Sequence, residues 1–170
     1  MADSGKRRWL PWALVGGLAA VLSAHSALAA WQRDHALMIN SSESLPNWAF
    51  FVEKNADPKQ GDYVFFAAPR TPLLLRHFGN NPSPFGKRII GLPGDTVSHA
   101  GSAVLVNGKV VARMKPLTRT GEKLTAGPTG AVPQGCYYVG TDHKDGFDSR
   151  YAEIGFVCRR QILGTGTPIL

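Results

Sequence analysis

The stretch WLPWALVGGLAAVLSAHSALAAW, Trp9 to Trp31, contains no Asp, Glu, Lys or Arg. At about 1.5 Å per residue it is long enough, as a helix, to cross a hydrocarbon layer of about 30 Å. Trp9, Trp12 and Trp31 stand near its ends, where indole rings favour the membrane interface. Pro11 falls in the first turn of such a helix, where proline is tolerated. Lys6, Arg7 and Arg8 precede the span, and a basic flank stays in the cytoplasm. The expected organisation is a cytoplasmic tip at residues 1–8, a retained anchor at 9–31 and an exported domain at 32–170 in the periplasm. It predicts a single-pass inner-membrane protein with a cytoplasmic N-terminus. The triplet Ala27-Leu28-Ala29 leaves a second reading open, a secretory signal removed after Ala29. In both readings the remainder is exported.

The net charge of +7 raises the question of nucleic acid. Setting aside Asp3, Lys6, Arg7 and Arg8 leaves 16 basic and 11 acidic residues in the remainder. They are scattered and form no basic stripe, so nucleic acid is not an expected partner. The charge fits attraction to anionic lipid headgroups or to an acidic partner.

Beyond the anchor the chain reads as mainly β. After a polar connector, Asn47–Lys54, Tyr63–Ala68 and Phe85–Gly91 are strand-like runs. Leu73–His77 offers one helical turn. Asn107-Gly108 inside SAVLVNGKVVARM supplies the two positive φ angles of a type I′ hairpin. Lys115–Pro133 is rich in Gly, Thr and Pro and reads as an extended loop. Cys136–Gly140, Ile154–Cys158 and Ile162–Thr167 are three further strands. Cys136 and Cys158 suit either a disulfide or two buried thiols. Two cysteines without a Cys-x-x-Cys pair argue against a zinc site.

The chain lacks His-Glu-x-x-His, both glycine-rich phosphate loops and a Gly-x-Ser-x-Gly elbow. No metal or cofactor is expected. Its histidines are dispersed, and His143, the one with acidic neighbours, reads as a surface-loop residue. Lys87 stands out because it enters an apolar strand beside Phe85 and Ile89-Ile90. Burial there lowers an amine's pKa, the condition for a lysine to act as a base. A strand-edge lysine reaching out to water is the alternative. A base needs a nucleophile, and Ser44 is the best offered, two residues before Pro46, which stiffens the backbone. The third element is Asp148-Ser149-Arg150, a loop ion pair or a support for the site.

Taken together, these elements resemble signal peptidase I of the serine-lysine class, and within it the conjugative-transfer, TraF-type branch. Asn40, Ser42, Ser44, Pro46 and Phe50 follow that branch's Asn-x-Ser/Thr-x-Ser-x-Pro-x-Gly-x-Tyr pattern, with Phe for Tyr. Lys87-Arg88-Ile89-Ile90-Gly91-Leu92-Pro93-Gly94-Asp95 is similar to the family's lysine box. Phe147-Asp148-Ser149-Arg150-Tyr151 resembles its C-terminal box, and Gly61-Asp62-Tyr63-Val64 a Gly-Asp-x-Val segment between them. The resemblance implies two antiparallel sheets with a cleft facing the membrane. It implies a serine endopeptidase that cleaves signal or pro-segments from exported precursors, with a conjugative pilin as the expected substrate. Ser44 would be the nucleophile and Lys87 the general base. Ser42 and the Ser44 N–H would form the oxyanion hole, with Asp148, Ser149 and Arg150 as supports. Two departures stand out: Trp48 replaces a family glycine, and Gly146 stands where housekeeping enzymes often place a serine near the lysine. A non-catalytic periplasmic component of a secretion or conjugation assembly is the alternative.

Overall fold

The computed structural model describes residues 6–169. The expected cytoplasmic tip, residues 1–8, thus lies for its first five residues outside the described residues. The chain divides into two compact units, one ending at His35 and one beginning at Ala36.

The first unit is helix α1, Lys6–Asp34. It is longer at both ends than the apolar run, because Gln32, Arg33 and Asp34 continue the helix without a breaker. Pro11 therefore lies inside the helix rather than in its first turn. Trp9, Trp12, Leu14, Leu18, Val21 and Leu22 are all exposed. From Pro11 to Asp34 the helix is long and apolar enough to cross a membrane, by length and composition.

The second unit is mainly antiparallel β, in two sheets. Strands β1 (His35–Ile39), β2 (Ala49–Glu53), β3 (Tyr63–Phe66), β4 (Phe85–Gly91), β9 (Cys136–Gly140), β10 (Val157–Cys158) and β11 (Ile162–Pro168) make the larger. Their order is β1-β2-β11-β3-β4-β9-β10. The smaller sheet, in the order β7-β6-β5-β8, contains β5 (Thr96–Ala100), β6 (Ala103–Val106), β7 (Lys109–Arg113) and β8 (Gly130–Ala131). A short helix, α2 (Pro72–Phe78), joins β3 to the loop before β4. Thr71 caps it, its hydroxyl accepting from Leu74 N–H, and Pro72 opens it. The Asn107-Gly108 turn has the expected positive φ at both residues. The connector read as polar after the anchor holds strand β1, whose Ala36 and Met38 pack on a core of Leu45, Phe50, Val52 and Phe65.

Strand β4 is central. Val64 of β3 lies opposite Lys87, and Val139 of β9 opposite Ile89. Gly61-Asp62 sets this register: Gly61 N–H donates to Ile89 C=O and Ile89 N–H to Asp62 C=O. The turn after β4 is also built by named residues. Gly94 takes φ +92°, where a side chain would be strained. Asp95 accepts from Leu92 N–H and from the Asn107 side chain, tying the turn to the hairpin. Much of the motif after Lys87 is thus a device for turning from one sheet into the other. Cys136 and Cys158 face each other across β9 and β10 and form a disulfide.

Candidate active site

Lys87 is 6% exposed. It shares its side of β4 with Ile89, next to a core of Val64, Phe66, Ile89 and Val139. Its Nζ stands 5.8 Å from the centre of the Phe85 ring. Loss of hydration lowers its pKa to about 8. The Asp148 carboxylate opposes that shift, and the Arg150 guanidinium adds to it. No hydrogen-bond partner for Lys87 Nζ occurs among the described residues.

Ser44 lies in a turn between β1 and β2, held by Leu45. Leu45 is buried against Phe50, Val52 and Phe65, and a Cβ at Gly86 would meet Leu45 Cδ1 at 3.1 Å. Glu43 stands 3.9 Å from His143. Asn40 closes the turn from within. Its Nδ2 donates to the carbonyls of Ser42, Leu45 and Asn47, and its Oδ1 accepts from Ser42 N–H and Ser42 Oγ–H. Its backbone N–H donates to Trp48 C=O. Ser42 Oγ and Ser44 Oγ are 2.8 Å apart. The structure brings Ser42 and Ser44 together and sets their turn against the strand that carries Lys87. It does not join Ser44 Oγ to Lys87 Nζ by a hydrogen bond. Trp48 is exposed.

Asp148 and Arg150 are buried and paired, with Arg150 Nε and Nη2 donating to the two carboxylate oxygens at 2.8 Å. Asp148 Oδ2 also accepts from Thr141 N–H, and Arg150 Nη2 donates to Thr141 C=O. Their hold on β4 thus passes through the end of β9. Ser149 extends β9 by one residue's worth of pairing: its N–H donates to Val139 C=O and its Oγ accepts from Val139 N–H. The extended loop lies over this segment through Lys115 and Arg119, which both pair with Asp145. The pairing holds the Asp145 carboxyl well below the usual range. Its Gly127 packs so close that a Cβ would lie 2.1 Å from Ser149 O.

Two residues escaped the sequence reading. Asn40 enters the sequence pattern by spacing alone, yet an Asn two residues before a Ser is also the signal of an Asx turn. Thr141 carried no signal. A Cβ at Gly146 would lie 2.6 Å from Thr141 Oγ1 and 3.0 Å from Asp148 Oδ2 and Arg150 Nη2. The Thr141 hydroxyl therefore occupies the room that a side chain at 146 would need, which explains the glycine.

The model of one protein family, described as "Signal peptidase, peptidase S26", matches residues 7–170. Signal peptidase I of Bacillus licheniformis is 38% identical over 88 residues, 46% of this chain and 46% of that protein. Probable signal peptidase I-2 of Synechocystis sp. is 36% identical over 115 residues, 64% of this chain and 46% of that protein. Signal peptidase I V of Bacillus subtilis is 31% identical over 117 residues, 61% of each chain. The chain spans about half the length of the curated relatives it matches. The crystal structure of a signal peptidase I from Enterococcus faecalis is 28% identical, with a TM-score of 0.42 over 66% of this chain and 98% of that one. A match that takes in the apolar helix, the serine turn, the lysine strand and the Asp-Ser-Arg loop alike makes this chain a member of the signal peptidase, peptidase S26, family.

Proposed function

We propose that this protein is a membrane-anchored serine endopeptidase of the signal peptidase I type, working through a Ser44–Lys87 dyad. One observation carries the reading: an amine buried in an apolar wall, its pKa lowered to about 8, on the strand that the serine turn packs against. At pH 7 about a tenth of such an amine is neutral and able to accept a proton. Lys87 takes the Ser44 proton as Oγ attacks the scissile carbonyl. The Ser44 N–H and the Ser42 hydroxyl stabilise the oxyanion. Protonated Lys87 then gives its proton to the leaving amine. Water cleaves the acyl-enzyme, or a precursor amine does so and closes a ring.

The free edge of β4 supports a polypeptide substrate. β9 pairs with β4 only over Arg88–Gly91, and Thr141 N–H is turned away to Asp148. The edge at Phe85–Lys87 has no partner strand on that side among the described residues, and an extended precursor fits there as an added strand. Leu45 packs against Gly86, which sets the serine turn against the stretch of β4 that carries Lys87. The Asn40-x-Ser42-x-Ser44-x-Pro46 spacing supports the conjugative-transfer branch, with a pilin precursor as substrate. The helix up to Asp34 supports a single-pass inner-membrane anchor with the catalytic domain in the periplasm, where the Cys136–Cys158 disulfide is stable.

The lack of a Ser44–Lys87 hydrogen bond favours a second reading, a non-catalytic component of a secretion or conjugation assembly. The test is incubation of the purified full chain, in detergent, with candidate pilin precursors and mass spectrometry of the products. Wild type is expected to process a precursor, while Ser44→Ala and Lys87→Met leave it intact. A cyclic product is one water lighter than the linear one. Processing that survives Lys87→Met ends the dyad reading.

A further inference from the structure

The hydroxyl hydrogen bonds of the serine turn have a direction. Asn40 Oδ1 accepts from Ser42 N–H at 3.1 Å, while Asn40 Nδ2 faces three carbonyls. These partners leave one orientation for the amide, with Oδ1 toward Ser42. An amide oxygen only accepts, so at 2.9 Å the Ser42 hydroxyl is the donor to Asn40. That hydroxyl has a single proton. At the 2.8 Å contact between the two serines, Ser42 Oγ is therefore the acceptor and Ser44 Oγ the donor. The chain runs from Ser44 O–H to Ser42 O–H to Asn40 Oδ1.

We propose that Asn40 is a positioning residue that acts through Ser42. It holds the Ser42 oxygen beside Ser44 and keeps the Ser44 O–H donating to Ser42 until a substrate carbonyl arrives. This rests on the dyad reading above. It also accounts for the absence of a Ser44–Lys87 hydrogen bond in the free protein. When the scissile carbonyl oxygen enters, the Ser42 hydroxyl rotates from Asn40 to that oxygen. Asn40 Oδ1 keeps its bond from Ser42 N–H, so the acceptor is not left bare. That rotation reorients the Ser42 lone pairs, and the Ser44 O–H is freed to turn to Lys87. The free hydroxyl is thus held inert toward water and released by the group it attacks.

Asn40 has a second task, bracing the turn through Nδ2, and the test must separate the two. The brace does not stand on the side chain alone: Asn40 N–H bonds Trp48 C=O at 2.8 Å, and Leu45 is buried in its core. Both remain in Asn40→Ala. The experiment is a double-mutant cycle of Asn40→Ala and Ser42→Ala in the full chain. It is read as kcat and KM on fluorogenic peptides with small residues on the acyl side of the cut, with thermal unfolding alongside. Ser42→Ala is expected to lower kcat about a hundredfold. Asn40→Ala should lower kcat about tenfold with KM nearly unchanged when Ser42 is present. In the Ser42→Ala background it should change kcat less than about twofold, while lowering Tm equally in both backgrounds. An equal loss of kcat in both backgrounds means that Asn40 only braces the turn, and the proposal falls. Turnover that survives Ser44→Ala instead overturns the dyad reading, which separates the two failures.

Discussion

An ammonium ion loses hydration when it is buried, and the single carboxylate acting on Lys87 is already saturated by Arg150 and Thr141. The signs follow from the pKa, lowered from 10.5 to about 8. Below pH 8 both the folded and the unfolded chain carry the proton, and the folded one bears the full burial penalty. Between pH 8 and 10.5 the unfolded chain binds the proton and the folded one does not, so stability rises with pH across that window. The gain is roughly 3 kcal/mol. Lys87→Met should therefore abolish processing, raise the unfolding temperature at pH 7 and remove this rise; chemical denaturation from pH 7 to 10.5 checks it. The same pKa predicts that kcat/KM climbs about tenfold per pH unit below pH 8 and then levels. Gly146→Ser makes the opposite point. A serine at 146 forces a side chain onto Thr141 and the ion pair, at about 1–3 kcal/mol of stability, read by denaturant titration. It should bring no gain in rate.

The elements around Lys87 are held by few contacts, and these can be cut singly. Asp148-Ser149-Arg150 fastens the end of β9, and the pair is fully buried. Asp148→Ala leaves Arg150 charged and unpaired in the interior, which should cost about 3–5 kcal/mol. Loss of the β9 end should also slow processing, so activity and unfolding are measured together. The disulfide ties β10 to β9 across a separation of 22 residues, a closure worth about 3 kcal/mol in chain entropy. Reduction should lower the unfolding temperature with little change in kcat at temperatures where the fold survives. At this scale the sequence was readable where periodicity and turn chemistry agreed. β4 runs over the expected residues and the Asn107-Gly108 hairpin is in place. β1 was missed because HALMI follows a helix without any turn residue, and only its place at the sheet edge makes it a strand. The strand expected at Ile154–Cys158 shrinks to Val157–Cys158, since Tyr151–Gly155 closes a turn instead.

On the scale of the whole molecule, a helix long and apolar enough to cross a membrane is followed by a β unit with its own core. The full chain should sediment with membranes after alkaline extraction, and added protease should reach the β unit only from the periplasmic side. An N-terminus beginning at Ala30 would mark a removed signal instead, and N-terminal sequencing reads that directly. The sequence by itself determined the apolar span, the β class and the candidate residues Ser42, Ser44, Lys87, Asp148 and Arg150. The span and the β class follow from charge-free length, alternation and turn residues, Lys87 and Ser44 from local chemistry, and the roles of Ser42, Asp148 and Arg150 from the resemblance of their motifs to the family's. Only the tertiary structure decided that Lys87 is dry, that Asp148 and Arg150 hold β4 through β9, and that Thr141 fills the room at Gly146. It alone shows Ser42 Oγ at 2.8 Å from Ser44 Oγ and at 2.9 Å from Asn40 Oδ1. Burial depends on which distant residues are brought together, and no local pattern in a chain encodes that.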